Sequence, residues 1–125
     1  MAAASLRRWA LAAGIAATLP LFLLPLSNPV PTLDGIETDK VAHAALIGGL
    51  ALLVRWNLPA GRWRGAAAVL LAGVYAGLIE LVQSALTFRT GDVTDLAAGL
   101  LGAAICVGAI GIAAGRRKAA GTDRR

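Results

Sequence analysis

The residues able to do chemistry fall in two short stretches of the chain. The first is Asp39-Lys40-Val41-Ala42-His43, which holds a carboxylate, an ammonium and the only histidine. Asp39 and His43 are four apart, so a helix places them on one face. The second begins at Glu80-Leu81-Val82-Gln83, where a three-residue spacing again gives a shared face. It continues into Arg89-Thr90-Gly91-Asp92-Val93-Thr94-Asp95, read as a short loop entering a helix. Asp92 or Thr94 is suited to cap that helix, and Asp92 and Asp95 complement its positive end. These groups divide by capability. Glu80 or His43 is suited to general base chemistry, with Asp95 beside them. Arg89, with Lys40, is suited to hold a phosphate or carboxylate, since a guanidinium fork matches either anion. Gln83 is suited to orient a ligand, and Asp39 and Asp92 complete the binding set.

Glu80 anchors this reading. It lies inside the apolar run Tyr75-Ala76-Gly77-Leu78-Ile79-Glu80-Leu81-Val82. An ionisable group in such a helix is costly and faces protein or a water-filled cavity. His43, Arg89 and Lys40 are partners available at the same depth. One reading is a salt-bridge network that holds three helices together. The other is a binding or catalytic site, favoured because the cluster mixes acid, amide, imidazole and guanidinium. A metal site on His43, Glu80, Asp92 and Asp95 would follow a known donor pattern. It has one His and no nearby Cys, and Arg89 would oppose a cation. No metal and no other cofactor is expected.

The elements that must position these groups are membrane helices. The chain has 125 residues, of which 58% are hydrophobic and 15% charged, with a mean hydropathy of +0.71. A soluble domain holds roughly 45–50% apolar and about 25% charged residues. A spanning helix needs about 20 mostly apolar residues. Four segments qualify: 9–26, 41–56, 65–86 and 93–114. The second is short and is expected to take Asp39 and Lys40 as its first turn, with Lys40 snorkelling. Pro20 and Pro25 are placed to kink or end the first. That segment resembles a signal peptide in its basic flank, but no small-x-small site follows it near Ser27, so it is expected to be retained.

Charge sets the orientation. The amino terminus, the 55–64 loop and the carboxyl tail hold ten of the twelve Lys and Arg. Six of the seven acids lie in the other two loops or beside them. The positive-inside rule then places both termini in the cytoplasm. The predicted fold is all-α: a bundle of four transmembrane helices over residues 1–115, followed by a basic, solvated tail over 116–125. The net charge of +5 flanks apolar segments rather than forming a stripe with aromatics, so nucleic-acid binding is not expected. Membrane lipids are the expected surroundings. Cys106 is the only cysteine and reads as a small apolar residue. Gly73 and Gly77, Ala98 and Gly102, and Gly111 and Gly115 have the spacing that lets helices approach closely in lipid. Gly73, Gly77, Gly111 and Gly115 are therefore candidates for contact with a second copy or another membrane protein.

The two stretches together resemble the VanZ-like family of small membrane proteins. Asp39, Lys40 and His43 match its first motif. Glu80, Gln83, Arg89, Asp92 and Asp95 match its second with the spacing intact, and Gly102 matches a later glycine. The resemblance covers about residues 39–106. Two departures stand out: Gly99 occupies a position where the family often has Asn, and Ala44 and Ile47 replace aromatics that commonly follow the His. The resemblance implies a multi-pass protein of the bacterial cytoplasmic (inner) membrane. It also implies a link to glycopeptide resistance, chiefly to teicoplanin, as in the founding member. A broader role follows: binding or acting on an envelope lipid or cell-wall precursor at the outer face. The alternative is a non-enzymatic accessory protein whose polar cluster is an inter-helix network. Four short helices leave little room for a transport pathway.

Overall fold

The computed structural model describes residues 2–23, 32–33, 36–85 and 93–122. The fold is all-α, with helices α1 (Ala2–Leu23), α2 (Thr38–Asn57), α3 (Arg64–Ala85) and α4 (Val93–Thr122). Ahead of α2 stands one small antiparallel pair, β1 (Thr32–Leu33) with β2 (Ile36–Glu37), in which Thr32 faces Glu37 and Leu33 faces Ile36.

The helix boundaries follow local chemistry. As expected, α2 starts ahead of Asp39, and that carboxylate lies in the first turn where the helix dipole favours it. The helix ends at Asn57 because Pro59 follows: a residue before proline is driven out of the helical region, and proline has no N–H to donate. α1 begins earlier than expected and carries Pro20 in its last turn, so that proline does not end it. Pro25 lies outside the described residues. α4 runs through Arg116 and Arg117 to Thr122, so the basic tail starts as helix rather than coil. At 30 residues, α4 is about 45 Å long, longer than the roughly 30 Å hydrocarbon core of a bilayer.

The bundle runs up, down, up, down. Gly14 of α1 abuts Leu53 of α2, and Arg7 reaches Trp56. α2 is central and packs on α4, α3 and α1, with α4 its main neighbour. The core is made of small and branched residues: Ile47 and Ala51 on α2, Ala68, Ala72, Ala76 and Ile79 on α3, and Ala103 and Val107 on α4. Alanines at every fourth position give α3 a narrow flat stripe on which another helix can lie close. α2 and α4 approach most closely. A Cβ added at Gly102 would collide with the backbone of Ala44, and one added at Gly48 would come 2.9 Å from Cys106 Sγ and 3.1 Å from the Gly102 carbonyl oxygen.

Outside this core the helices are apolar. Leu70, Leu71, Val74, Leu78 and Leu81 of α3 and Leu101, Ile105 and Ile112 of α4 are exposed. α3, and α4 from Val93 to Arg117, are each long and apolar enough to cross a membrane. Large exposed apolar surface of this kind marks contact with lipid or protein rather than water.

Candidate functional site

Three buried stripes lead to one polar cluster. On α2, the stripe of Ala51, Ile47 and His43 ends in the imidazole. On α3, the alanine stripe continues through Ile79 to Gln83. On α4, Ala103 and Gly99 lead to Asp95. Each helix therefore switches from small apolar to polar at the same end of the bundle. His43 and Gln83 are almost fully enclosed, at 2% and 1% exposure. The cluster sits at the amino ends of α2 and α4 and the carboxyl end of α3. The positive ends of two helix dipoles thus face Asp39 and Asp95.

His43 is the hub. Its Nδ1 lies 3.0 Å from the Asp39 carbonyl oxygen, 3.6 Å from Asp39 Oδ1 and 4.0 Å from Asp95 Oδ2. Its Nε2 lies 3.6 Å from Glu80 Oε1. A carbonyl only accepts, so the ring donates through Nδ1–H, and Nε2 is the nitrogen that faces Glu80. Lys40 Nζ lies 3.6 Å from Asp95 Oδ1 and balances a second carboxylate.

Burial grades across the cluster. His43 and Asp95 form the floor, with side chains 2% and 8% exposed, whereas Glu80, Asp39 and Lys40 form the rim at 12%, 16% and 27%. Asp39, His43 and Asp95 present ligand atoms within 4.8 Å of one another, close enough to share a cation. Against that, Nδ1 is already bonded to a carbonyl and the Lys40 ammonium stands beside Asp95.

Of the residues singled out from sequence, the structure gathers Asp39, Lys40, His43, Glu80, Gln83 and Asp95. Arg89 and Asp92 lie outside the described residues, and with them the pairing of Glu80 to Arg89. Of the glycines, Gly73 accommodates Leu100 of α4, whose Cδ2 would lie 2.6 Å from an added Cβ. Gly77, Gly111 and Gly115 have nothing within 4 Å, so among the described residues they serve no close helix contact.

The two departures from the family pattern touch one another's helices. A Cβ on Gly99 would lie 3.1 Å from Ile47 Cγ1, and Gly102 rests on Ala44. An apolar Ile47–Gly99 contact thus lies one turn beneath His43 and Asp95 and closes the cluster from below. Sequence reading missed the role of Gly48, Gly99 and Gly102 as one seam; only the shared facing of α2 and α4 reveals it. It also missed a polar link at the far side of α3. The Tyr75 and Thr18 hydroxyls lie 2.8 Å apart, and Thr18 donates back to the Gly14 and Ile15 carbonyls at 3.0 Å.

Comparison with known proteins identifies the family. The uncharacterized protein C11E3.10 of the fission yeast Schizosaccharomyces pombe is 38% identical over 79 residues, which is 62% of this chain and 49% of that protein. The chain therefore spans about half the length of that relative. No solved structure matches. The VanZ/LLP1 family model matches residues 5–114, a span that runs from α1 to α4 and contains both polar motifs and the glycine seam. The chain belongs to the VanZ/LLP1 family.

Proposed function

We propose that this protein is a multi-pass protein of the bacterial cytoplasmic membrane that binds, and transfers protons on, an envelope lipid or cell-wall precursor at the outer face. All four helices span in this reading, and both termini lie in the cytoplasm, following the distribution of Lys and Arg. The observation that carries it is the convergence of His43, Glu80, Gln83, Asp95 and Lys40 at one depth, with a buried floor and a more exposed rim. A staple between helices needs opposite charges; it does not need an enclosed amide and an imidazole whose proton is fixed on one nitrogen.

Roles follow from exposure. Glu80, on the rim, is the group that meets the substrate. His43, behind it, holds or returns the proton through Nε2. Lys40 holds the phosphate or carboxylate of the headgroup, a task for which the sequence also offers Arg89. Gln83 orients it. Proton transfer of this kind contributes roughly 10²–10⁴-fold to a rate. A consequence for the cell is altered sensitivity to a glycopeptide such as teicoplanin.

The test is to produce the protein and its Glu80→Gln and His43→Ala variants in a bacterial host without its own copy. Teicoplanin sensitivity and the envelope lipid profile are then compared at equal membrane abundance. Both variants should accumulate and lose the wild-type effect. If both act like wild type, the site reading is wrong.

A second reading has its own support: the contacts among Lys40, Asp95, His43 and Glu80 run between the cluster's own members. In that case the cluster is a network that holds α2, α3 and α4 for an accessory role. Exchanging Lys40 and Asp95 should then restore function that either single substitution loses.

A further inference from the structure

The end of the bundle opposite the polar cluster carries a groove of 370 Å³ lined by Leu52, Leu53, Arg55, Trp56, Arg64 and Ile110. That volume is within the roughly 300–1,000 Å³ of ligand pockets. Its lining combines the aliphatic Leu52, Leu53 and Ile110 with Trp56 and the basic Arg55 and Arg64.

The two arginines have different duties. Arg64 donates through Nε to the Arg55 carbonyl at 2.6 Å and through Nη2 to the Trp56 carbonyl at 3.3 Å. Arg7 adds a second donor to the Trp56 carbonyl at 3.3 Å. The Arg55 and Trp56 carbonyls are thereby satisfied, and the negative end of the α2 dipole is already met by two guanidinium groups. The Arg55 guanidinium is therefore surplus to the helix end. It stands half-buried beside Leu52, Leu53 and Ile110, where a charge without a counter-charge is costly. The carboxylates of Asp39, Glu80 and Asp95 are at the other end of the bundle. Asp39 is sixteen residues from Arg55 along α2, about 24 Å of helix. Among the described residues no carboxylate stands near this groove.

An amphipathic occupant with one negative head and an aliphatic tail matches this lining. Trp56, exposed at the same level, and Trp63, with the Arg62 guanidinium 4.9 Å over its ring, are the residue types that sit at a membrane interface. We propose that the groove between the end of α2, the start of α3 and the middle of α4 binds one anionic phospholipid, with its phosphate on Arg55 and an acyl chain along Leu52, Leu53 and Ile110. This differs from diffuse attraction of a basic surface, because it places the lipid in one groove. It does not rest on the activity proposed for the polar cluster.

The test uses the full chain in nanodiscs of phosphatidylcholine with a minor fraction of phosphatidylglycerol, followed by native mass spectrometry of the released protein. Wild type should retain one phosphatidylglycerol in preference to phosphatidylcholine. Arg55→Gln should lower that retention about tenfold, the loss of one charge-assisted phosphate contact. Ile110→Trp fills the groove while leaving every charge in place, and it should lower retention as well. Joint neutralisation of Arg116, Arg117 and Lys118 should leave retention near wild type. The proposal is overturned if Ile110→Trp retains lipid like wild type, or if the tail variant alone abolishes retention, which would mean general electrostatic attraction. Should Arg55→Gln fail to fold, the Ile110→Trp and tail variants decide the matter.

Discussion

His43 has its two nitrogens assigned to different tasks. Nδ1 faces a carbonyl at 3.0 Å and Nε2 faces Glu80 at 3.6 Å. A ring held this way cannot flip its tautomer without losing the bond to Asp39. The expected outcome is a ¹⁵N spectrum of labelled imidazole in which Nδ1 carries the proton whenever the ring is neutral. A neutral ring protonated on Nε2 would contradict the arrangement. Substituting Glu80 by Gln should alter the Nε2 signal far more than the Nδ1 signal, since only Nε2 faces the altered group. Both motifs were legible in the chain, because the four-residue and three-residue spacings already place Asp39 with His43 and Glu80 with Gln83. The division of labour was not. Which of Glu80 and His43 is the more buried depends on how deep each helix sits, and spacing along one helix is silent on depth in another.

At the scale of elements, the seam between α2 and α4 positions the site. Gly48, Gly99 and Gly102 remove the side chains that would hold these helices apart, and Ile47 and Ala44 fill the space left. Gly102→Ala should destabilise the protein by about 1–3 kcal/mol or more, because the added methyl meets backbone rather than a flexible side chain. Thermal unfolding in detergent would show it, and the same separation of α2 from α4 should weaken function through His43 and Asp95. Gly111→Ala, with open space around it, should leave the melting temperature within the small range of surface changes. If Gly111 lies at a contact with a second copy, the variant changes oligomeric state instead, which light scattering in detergent distinguishes. The spacing of small residues singled out Gly102 together with Gly73, Gly77, Gly111 and Gly115 alike. Only Gly102 and Gly73 meet a neighbouring helix. In a chain with 15 glycines the spacing recurs, and which instance is used depends on which face turns inward.

At the scale of the whole molecule, the two ends of the bundle are chemically opposite. One end gathers Asp39, Glu80 and Asp95 around His43, and the other gathers Arg7, Arg55 and Arg64 around the end of α2. Arg7 and Arg64 close α2 at its carboxyl end. The proposed topology makes a direct prediction. Single cysteines placed in the 58–63 loop of a Cys106→Ser protein should react with a membrane-impermeant reagent only after the cytoplasmic side is exposed. One placed near Thr38 should react from outside in intact cells. Reversed labelling would overturn the outer placement of the polar cluster.

The chain by itself determined the helical class, the approximate limits of α2 and α3 and the identity of the polar motifs. These rest on apolar run length, residue spacing and the position of charge, which are local properties of a sequence. Tertiary structure decided which glycines form a seam, that Gly99 and Ile47 close the site from below, that His43 lies behind Glu80, and that Arg55 is left to line a groove while Arg64 caps a helix. Each of these depends on the rotation and depth of one helix against another. Those quantities are settled by packing between segments far apart in the chain, so no single stretch of residues encodes them.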